Sequence, residues 1–337
     1  MKKITALTTT ALAASVALAL TGCGGQAGST TTTAAAVDFP KAGSTIEWIV
    51  PSAAGAGNDI LARIVAPAMQ EDLGANIKVV NKEGGSQVVG LNYVAQSKPD
   101  GLTFGYTNIP SILGRYLDPS KKAAFDRGSF TPIGSFATNS VVIGVNKDSK
   151  YKTLKELFEA VKAEPGKITV GTDSRAGDDH INLRLLENQL GLDFNIVHYN
   201  SGADKVAAIV SGEVDFALGG VSSFFGQYKS GDIKLLTVIE DNPSTFVPDV
   251  PTMKSAGYDV KPMASNFALS VPSKTPKEVV AKLESSLKKA AGTAAVQEKL
   301  KGAATQPTWV PAADVSKMWE ERETLIKPVI DELLKQQ

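Results

Sequence analysis

From Ile46 onward, short apolar runs alternate with longer stretches whose apolar residues recur every three or four positions. Short runs fit strands, and the longer spacing fits one buried face of a helix. Ile46–Val50 reads as a strand that leads through a Gly/Ala loop into a helix bearing Ile60, Leu61, Ile64, Val65, Ala68, Met69 and Leu73. Ile77–Val80 and Gly101–Tyr106 are further strands. Val141–Val145 follows, with Leu154, Leu157, Phe158 and Val161 on its helix. Lys167–Gly171 and Asn195–Tyr199 each open a strand–loop–helix unit, the second with Val206, Ile209 and Val210. Val214–Leu218, Lys234–Ile239 and Phe267–Val271 are the remaining strands. Helices close the chain, one with Val279, Val280, Leu283 and Leu287, the last with Met318, Trp319, Leu325, Ile326, Val329, Ile330 and Leu333. The alternation predicts an α/β fold, while the Pro-containing stretches 242–251 and 303–311 read as loops.

Composition narrows the chemistry. At 337 residues the chain has room for two cores, because single cores stop growing near ~250–300 residues. Its 35 Lys+Arg balance 35 Asp+Glu, without a block of like charge, which argues against nucleic acid as a partner. One Cys excludes an intrachain disulfide framework, and two His leave little for histidine-based metal sites. No cofactor is called for.

The N-terminus is a targeting segment. Lys2 and Lys3 precede the apolar stretch 11–20, too short to span a ~30 Å hydrocarbon core. It ends in Leu20-Thr21-Gly22-Cys23, similar to a bacterial lipobox, in which the Cys thiol is lipidated and becomes the new N-terminus. Residues 1–22 are then a signal peptide and 23–38, rich in small polar residues, a flexible tether. The expected location is extracytoplasmic, lipid-anchored through Cys23.

Three loops follow strands and feed helices: Pro51–Asp59, Gly171–His180 and Tyr199–Asp204. Small residues allow a ligand close to the backbone, Asn58 or Asp59 can cap a helix, and free N–H groups at helix starts favour an anion. Converging on one crevice, such ends would hold a carboxylate without a metal. Neither a G-x-G-x-x-G nor a G-x-x-x-x-G-K-[ST] pattern occurs. Arg175 has a planar fork suited to a carboxylate, though a solvated surface role fits as well. Asp178 and Asp179 read as first-turn acids, His180 and His198 as structural hydrogen bonders, Tyr199 as core or pocket wall, and Trp48 as packing. Thr107, Asn108 and Ile109, after a strand, sit where a pocket rim would be.

Taken in order, these stretches resemble the substrate-binding proteins of tripartite tricarboxylate transporters, the TctC or Bug receptor family. The matching segments are IVPSAAGAGNDILAR (49–63), VVNKEGGSQVVGLNYVAQSKPDGLTFGY (79–106), FTPIG (130–134), AEPGKITVGT (163–172), YNSGADKVAAIVSGEVD (199–215) and PDVPTMKSAGYDV (248–260). The resemblance implies a two-lobed type II periplasmic-binding-protein fold, each lobe a mostly parallel sheet flanked by helices, with a ligand cleft between them. It places residues 39–140 plus 266–337 in the first lobe and 141–265 in the second. It implies a monomeric, non-enzymatic receptor that captures a small di- or tricarboxylate-like ligand and delivers it to a membrane permease. By position it points to Ser52, Ala53, Gly57, Asn58, Asp59, Thr107, Thr172, Ser174, Arg175, His180, Tyr199 and Ser201. The segment Ser174–His180 and the stretch after Tyr199 depart from the family's glycine-rich pattern. Were Asp178, Asp179 and Asp204 to face the pocket, they would repel a dianion. Two other roles stay open on residues alone: a ligand-sensing lipoprotein, and an anchored hydrolase using Asp178 or Asp179 with His180.

Overall fold

The computed structural model describes residues 38–335 apart from 200, 241–242 and 261–262. The signal peptide, Cys23 and all but the last residue of the tether lie outside the described residues.

The chain starts with β1 (Thr45–Val50), α1 (Gly57–Leu73), β2 (Asn76–Asn81), α2 (Val88–Gln96), β3 (Thr103–Tyr106), α3 (Leu113–Tyr116) and β4 (Phe130–Asn139). Only Ser140 separates β4 from β5 (Val141–Asn146), which begins a different sheet. There follow α4 (Leu154–Ala163), β6 (Thr169–Thr172), α5 (Asp178–Leu190), β7 (Asn195–His198), α6 (Gly202–Ser211), β8 (Phe216–Gly220), α7 (Val221–Ser230) and β9 (Ile233–Val238). The chain then returns through β10 (Ser265–Pro272), α8 (Lys277–Gly292), α9 (Ala294–Gly302), β11 (Gln306–Val310) and α10 (Ala312–Lys335). The strand orders are β11-β4-β10-β3-β1-β2 and β7-β6-β8-β5-β9. Each sheet carries helices and forms one lobe of an α/β structure.

Both sheets are mixed. The mostly parallel pairing expected is confined to β2-β1-β3 and β7-β6-β8, and the remaining pairs are antiparallel. The crossings account for this: β4 runs straight into β5, and β10 comes back from the other lobe, so these strands meet their neighbours head to tail. The stretch 303–311, expected as a loop, contains β11. It is an edge strand paired only with β4, and its register slips between Pro307 and Val310. An edge tolerates Pro because one side of the ladder needs no donor. The adjoining Gly134 has φ 119°, and a Cβ there would lie 2.6 Å from the Trp309 ring.

Helix stripes become core faces, with adjustments. On α1, Leu61, Val65, Met69 and Leu73 are buried while Ile60 is 45% exposed. Helix α4 starts with a capping box between Thr153 and Glu156. Trp48 is fully buried with ring centroids 5.2 Å from Phe104 and 5.6 Å from Tyr106, the packing role expected. Helix α10 covers the first sheet's other face with Trp319, Ile326 and Ile330 and also reaches α5, where Arg184 pairs with Glu332 at 3.4 Å. Among the described residues no helix is long and apolar enough to cross a membrane.

Candidate functional site

The βα loops of both lobes surround a cavity of 260 Å³. It lies where parallel strands of each sheet end, the place at which open α/β sheets bind ligands. The first lobe contributes Asn58 from the start of α1, Gln87 just before α2, Asn108 after β3, and Ser111 and Arg115 from the α3 region. The second contributes Asp173, Asp178 and Asp179 around the start of α5, Ser201, Gly202 and Lys205 from α6 and its cap, and Gly220 and Ser223 at α7. Asn139, Ser265 and Phe267, at the crossings, complete the lining. A wider groove of 800 Å³ shares Ser201, Gly202 and Ser223 with the cavity and is bordered across it by Gly55–Gly57.

Local hydrogen bonds hold these side chains. Tyr106 Oη donates to the Asn58 carbonyl at 2.9 Å, and Asn108 Nδ2 donates to Asn58 Oδ1 at 3.0 Å. Ser201 caps α6, its Oγ accepting from Asp204 N at 3.1 Å. Lys205 is buried on α6 and donates to Asp179 and, at 2.8 Å, to the Leu218 carbonyl. Arg115 is 3% exposed, and its Nε and Nη1 have no hydrogen-bond partner among the described residues. Asp178 accepts from Ser265 Oγ at 2.5 Å through Oδ2, while its buried Oδ1 has no hydrogen-bond partner among the described residues.

Burial dominates the electrostatics. It pushes Asp178 up to about 6, against the Ser265 hydrogen bond, and raises Asp173 further with help from the neighbouring Asp179. It also lowers Arg115, against the attraction of Asp173, Asp178 and Asp118.

The structure brings some expected site residues together and sends others elsewhere. Asn58 and Ser201 line the cavity and Gly57 the adjoining groove. Ser52 and Ala53 line neither; the Ser52 carbonyl accepts from Asn81 Nδ2 at 3.1 Å, and Ala53 is exposed. Asp59 does not cap α1 but folds back on its own loop. It accepts from Gly55 N at 2.8 Å, Asn81 Nδ2 at 3.0 Å and Arg63, contacts that hold its carboxyl down at about 2. Thr107 is fully buried against Ser270, and Thr172 against His198.

Arg175 turns away from the cavity and donates to the Leu333 carbonyl near the end of α10. Ser174 takes part in the turn before α5, its carbonyl accepting from Gly177 N at 2.8 Å. His180 is buried behind the loop, where Nδ1 accepts from Ala176 N at 3.0 Å; burial and the nearby His198 lower it to about 3. Outside the cavity, with its Nδ1 lone pair taken by Ala176 N and its basicity lowered, His180 does not serve the hydrolase reading as a base. Tyr199 Oη donates to Glu213 at 2.8 Å, and Asp204 caps with Ser201 rather than lining the cavity. Asp178 and Asp179 do line it.

Sequence reasoning passed over Arg115, Ser111, Asn139, Lys205, Ser223 and Ser265. Arg115 sits in a four-residue helix too short to show periodicity. Lys205 carried a signal, because a charge beside Val206 and Ile209 falls on the buried face of α6. Among the described residues, no cluster of three or more His, Cys, Asp or Glu has the arrangement of a metal site.

A family model described as the tripartite tricarboxylate transporter family receptor matches residues 61–334. A UPF0065 protein of Bordetella pertussis is 28% identical over 295 residues, 86% of this chain and 89% of that protein. MatC from Rhodopseudomonas palustris, solved with bound malate, superposes with a TM-score of 0.73 at 23% identity, covering 87% of this chain and 100% of that one. A second protein of that organism, Rpa4515 with adipate, gives a TM-score of 0.75 at 22% identity, with 87% and 98% covered.

Proposed function

We propose a function from one premise: the chain belongs to the tripartite tricarboxylate transporter receptor family. It is an extracytoplasmic solute-binding receptor, not an enzyme, that captures a small carboxylate and delivers it to a membrane permease of that transporter class. The malate and adipate held by the two Rhodopseudomonas palustris proteins support a carboxylate as the ligand class here.

The observation that carries this reading is the polar cavity between loops of both lobes, with a buried Arg115 in its wall whose Nε and Nη1 have no partner among the described residues. A guanidinium stays charged, so its vacant N–H groups favour a carboxylate that leaves water to reach them. Closing the lobes strengthens the same contacts by excluding solvent, and a ligand that binds the closed form better shifts the population toward it. The closing halves are residues 39–140 with 266–337, and residues 141–265. The protein acts as a monomer tethered through a lipid on Cys23, and the permease reads the closed, loaded form.

Calorimetry of the purified protein against a panel of small mono-, di- and aminocarboxylates checks the receptor role. At least one is expected to bind with micromolar or tighter affinity. Binding of neutral solutes alone would overturn it. Mass spectrometry of the membrane fraction tests the anchor: an unmodified, uncleaved N-terminus would exclude lipidation at Cys23.

A further inference from the structure

The charged side chains of the cavity do not suit a ligand that is only an anion. Two are basic, Arg115 and Lys205, and three are acidic, Asp173, Asp178 and Asp179. Lys205 already donates to Asp179 and the Leu218 carbonyl, so this pair is internally neutralised. Arg115 then faces Asp173 and Asp178 and, outside the cavity lining, Asp118. Two of its nitrogens, Nε and Nη1, are buried without an acceptor among the described residues. Asp178 is in the complementary condition: Ser265 serves Oδ2 and Ser111 lies close by, but Oδ1 is buried without a donor in hydrogen-bond geometry among the described residues, and so is Asn108 Oδ1. Vacant donors from one lobe and vacant acceptors from both therefore border one cavity. Buried polar groups are normally paired, so such vacancies mark the place of a missing partner.

A dicarboxylate would satisfy Arg115 at one end and set its other carboxylate against Asp178 Oδ1 and Asn108 Oδ1, which are acceptors and offer it no hydrogen. A second carboxylate beside the Asp178 carboxyl group meets repulsion rather than a donor. We propose that the ligand of this receptor is an aminocarboxylate, its carboxylate held by Arg115 and its ammonium by Asp178 and the Asn108 side-chain carbonyl. This rests on the receptor reading above and narrows its ligand class. Lys205–Asp179 frames the site without taking part in the selection.

Calorimetry on the purified protein with matched probes tests it: γ-aminobutyrate against succinate, and L-2-aminobutyrate against butyrate. The amino compound of at least one pair is expected to bind ten-fold or more tightly than its partner. In Asp178→Asn, checked for folding by circular dichroism, that preference is expected to fall at least ten-fold. Succinate or butyrate binding as well as the matched amino compound in both pairs would overturn this inference and leave the receptor role standing. An unchanged preference in folded Asp178→Asn would equally overturn it. Binding of none of the four probes, with no other carboxylate bound, would remove the receptor role and this inference together.

Discussion

Gly114 of α3 and Ala176 of the loop before α5 lie so close that a Cβ on Gly114 would sit 2.0 Å from the Ala176 carbonyl oxygen. The two residues belong to different lobes, and the contact borders the wall that carries Arg115 and Asp178. A methyl group there cannot be accommodated without separating the two segments, since the obstacle is backbone. Gly114→Ala is therefore expected to weaken ligand binding at least ten-fold in calorimetry. Small-angle scattering should show a more open form in the presence of ligand. Unchanged affinity would mean that this contact plays no part in closure.

Lys205 and Asp179 form an ion pair with both side chains largely buried. Removing one partner leaves the other charge without compensation, a loss of about 3–5 kcal/mol, whereas removing both is far milder. Urea denaturation should show Lys205→Met strongly destabilised and Lys205→Met with Asp179→Asn largely recovered. Equal losses in the two variants would contradict the pairing.

His180 contributes a stability that depends on pH. Its folded-state value is lowered to about 3 from an ordinary value near 6.5, chiefly by burial. Below 6.5 the unfolded chain therefore binds the extra proton. The contribution is complete above pH 6.5 and is lost as pH falls toward 3. In His180→Gln the slope of unfolding free energy against pH between 4 and 6 should be shallower by about 1.4 kcal/mol per pH unit. Urea titrations at several pH values measure it.

Asp178 acts with the opposite sign. Its carboxyl is raised to about 6, chiefly by burial, with Asp179 adding repulsion and Ser265, Arg115 and Ser111 opposing it. The folded state thus holds a proton that the unfolded state has released, and stability declines as pH rises from about 4 through 6. Asp178→Asn should be more stable than the parent protein at pH 8 by roughly 1–2 kcal/mol, because the carboxylate borders the cavity and is partly screened. The difference should vanish near pH 4. A variant less stable than the parent at pH 8 would show that the charged carboxylate is well accommodated.

Trp48 packs among Phe104, Tyr106 and Phe136 with no exposure, and its Nε1 has no acceptor among the described residues. Trp48→Ala should destabilise by about 3–5 kcal/mol. Trp48→Phe keeps much of the volume and removes an unpaired donor, so it should cost less than about 1.5 kcal/mol. Thermal melts of the two variants measure the difference, and a loss in Trp48→Phe as large as in Trp48→Ala would contradict the packing account.

The order of strands and helices was legible in the chain because burial imposes its period locally. Leu154, Leu157, Phe158 and Val161 mark α4, and Val141–Val145 marks most of β5, without reference to anything distant. Ordered loop motifs were enough to indicate the family, and several loops that reach the cavity were visible as glycine-rich segments before helices. The pairing of strands was not legible, since β4 and β10 meet across more than a hundred residues and a returning strand leaves no local mark. Nor was side-chain direction. Arg175 carries the fork suited to an anion, yet it bonds to the Leu333 carbonyl on α10, while Arg115, on a helix of one turn, is buried in the cavity wall with Nε and Nη1 unpaired among the described residues. Which charged group meets a ligand depends on the competing acceptors that folding brings within reach, and those come from parts of the chain that sequence proximity does not connect.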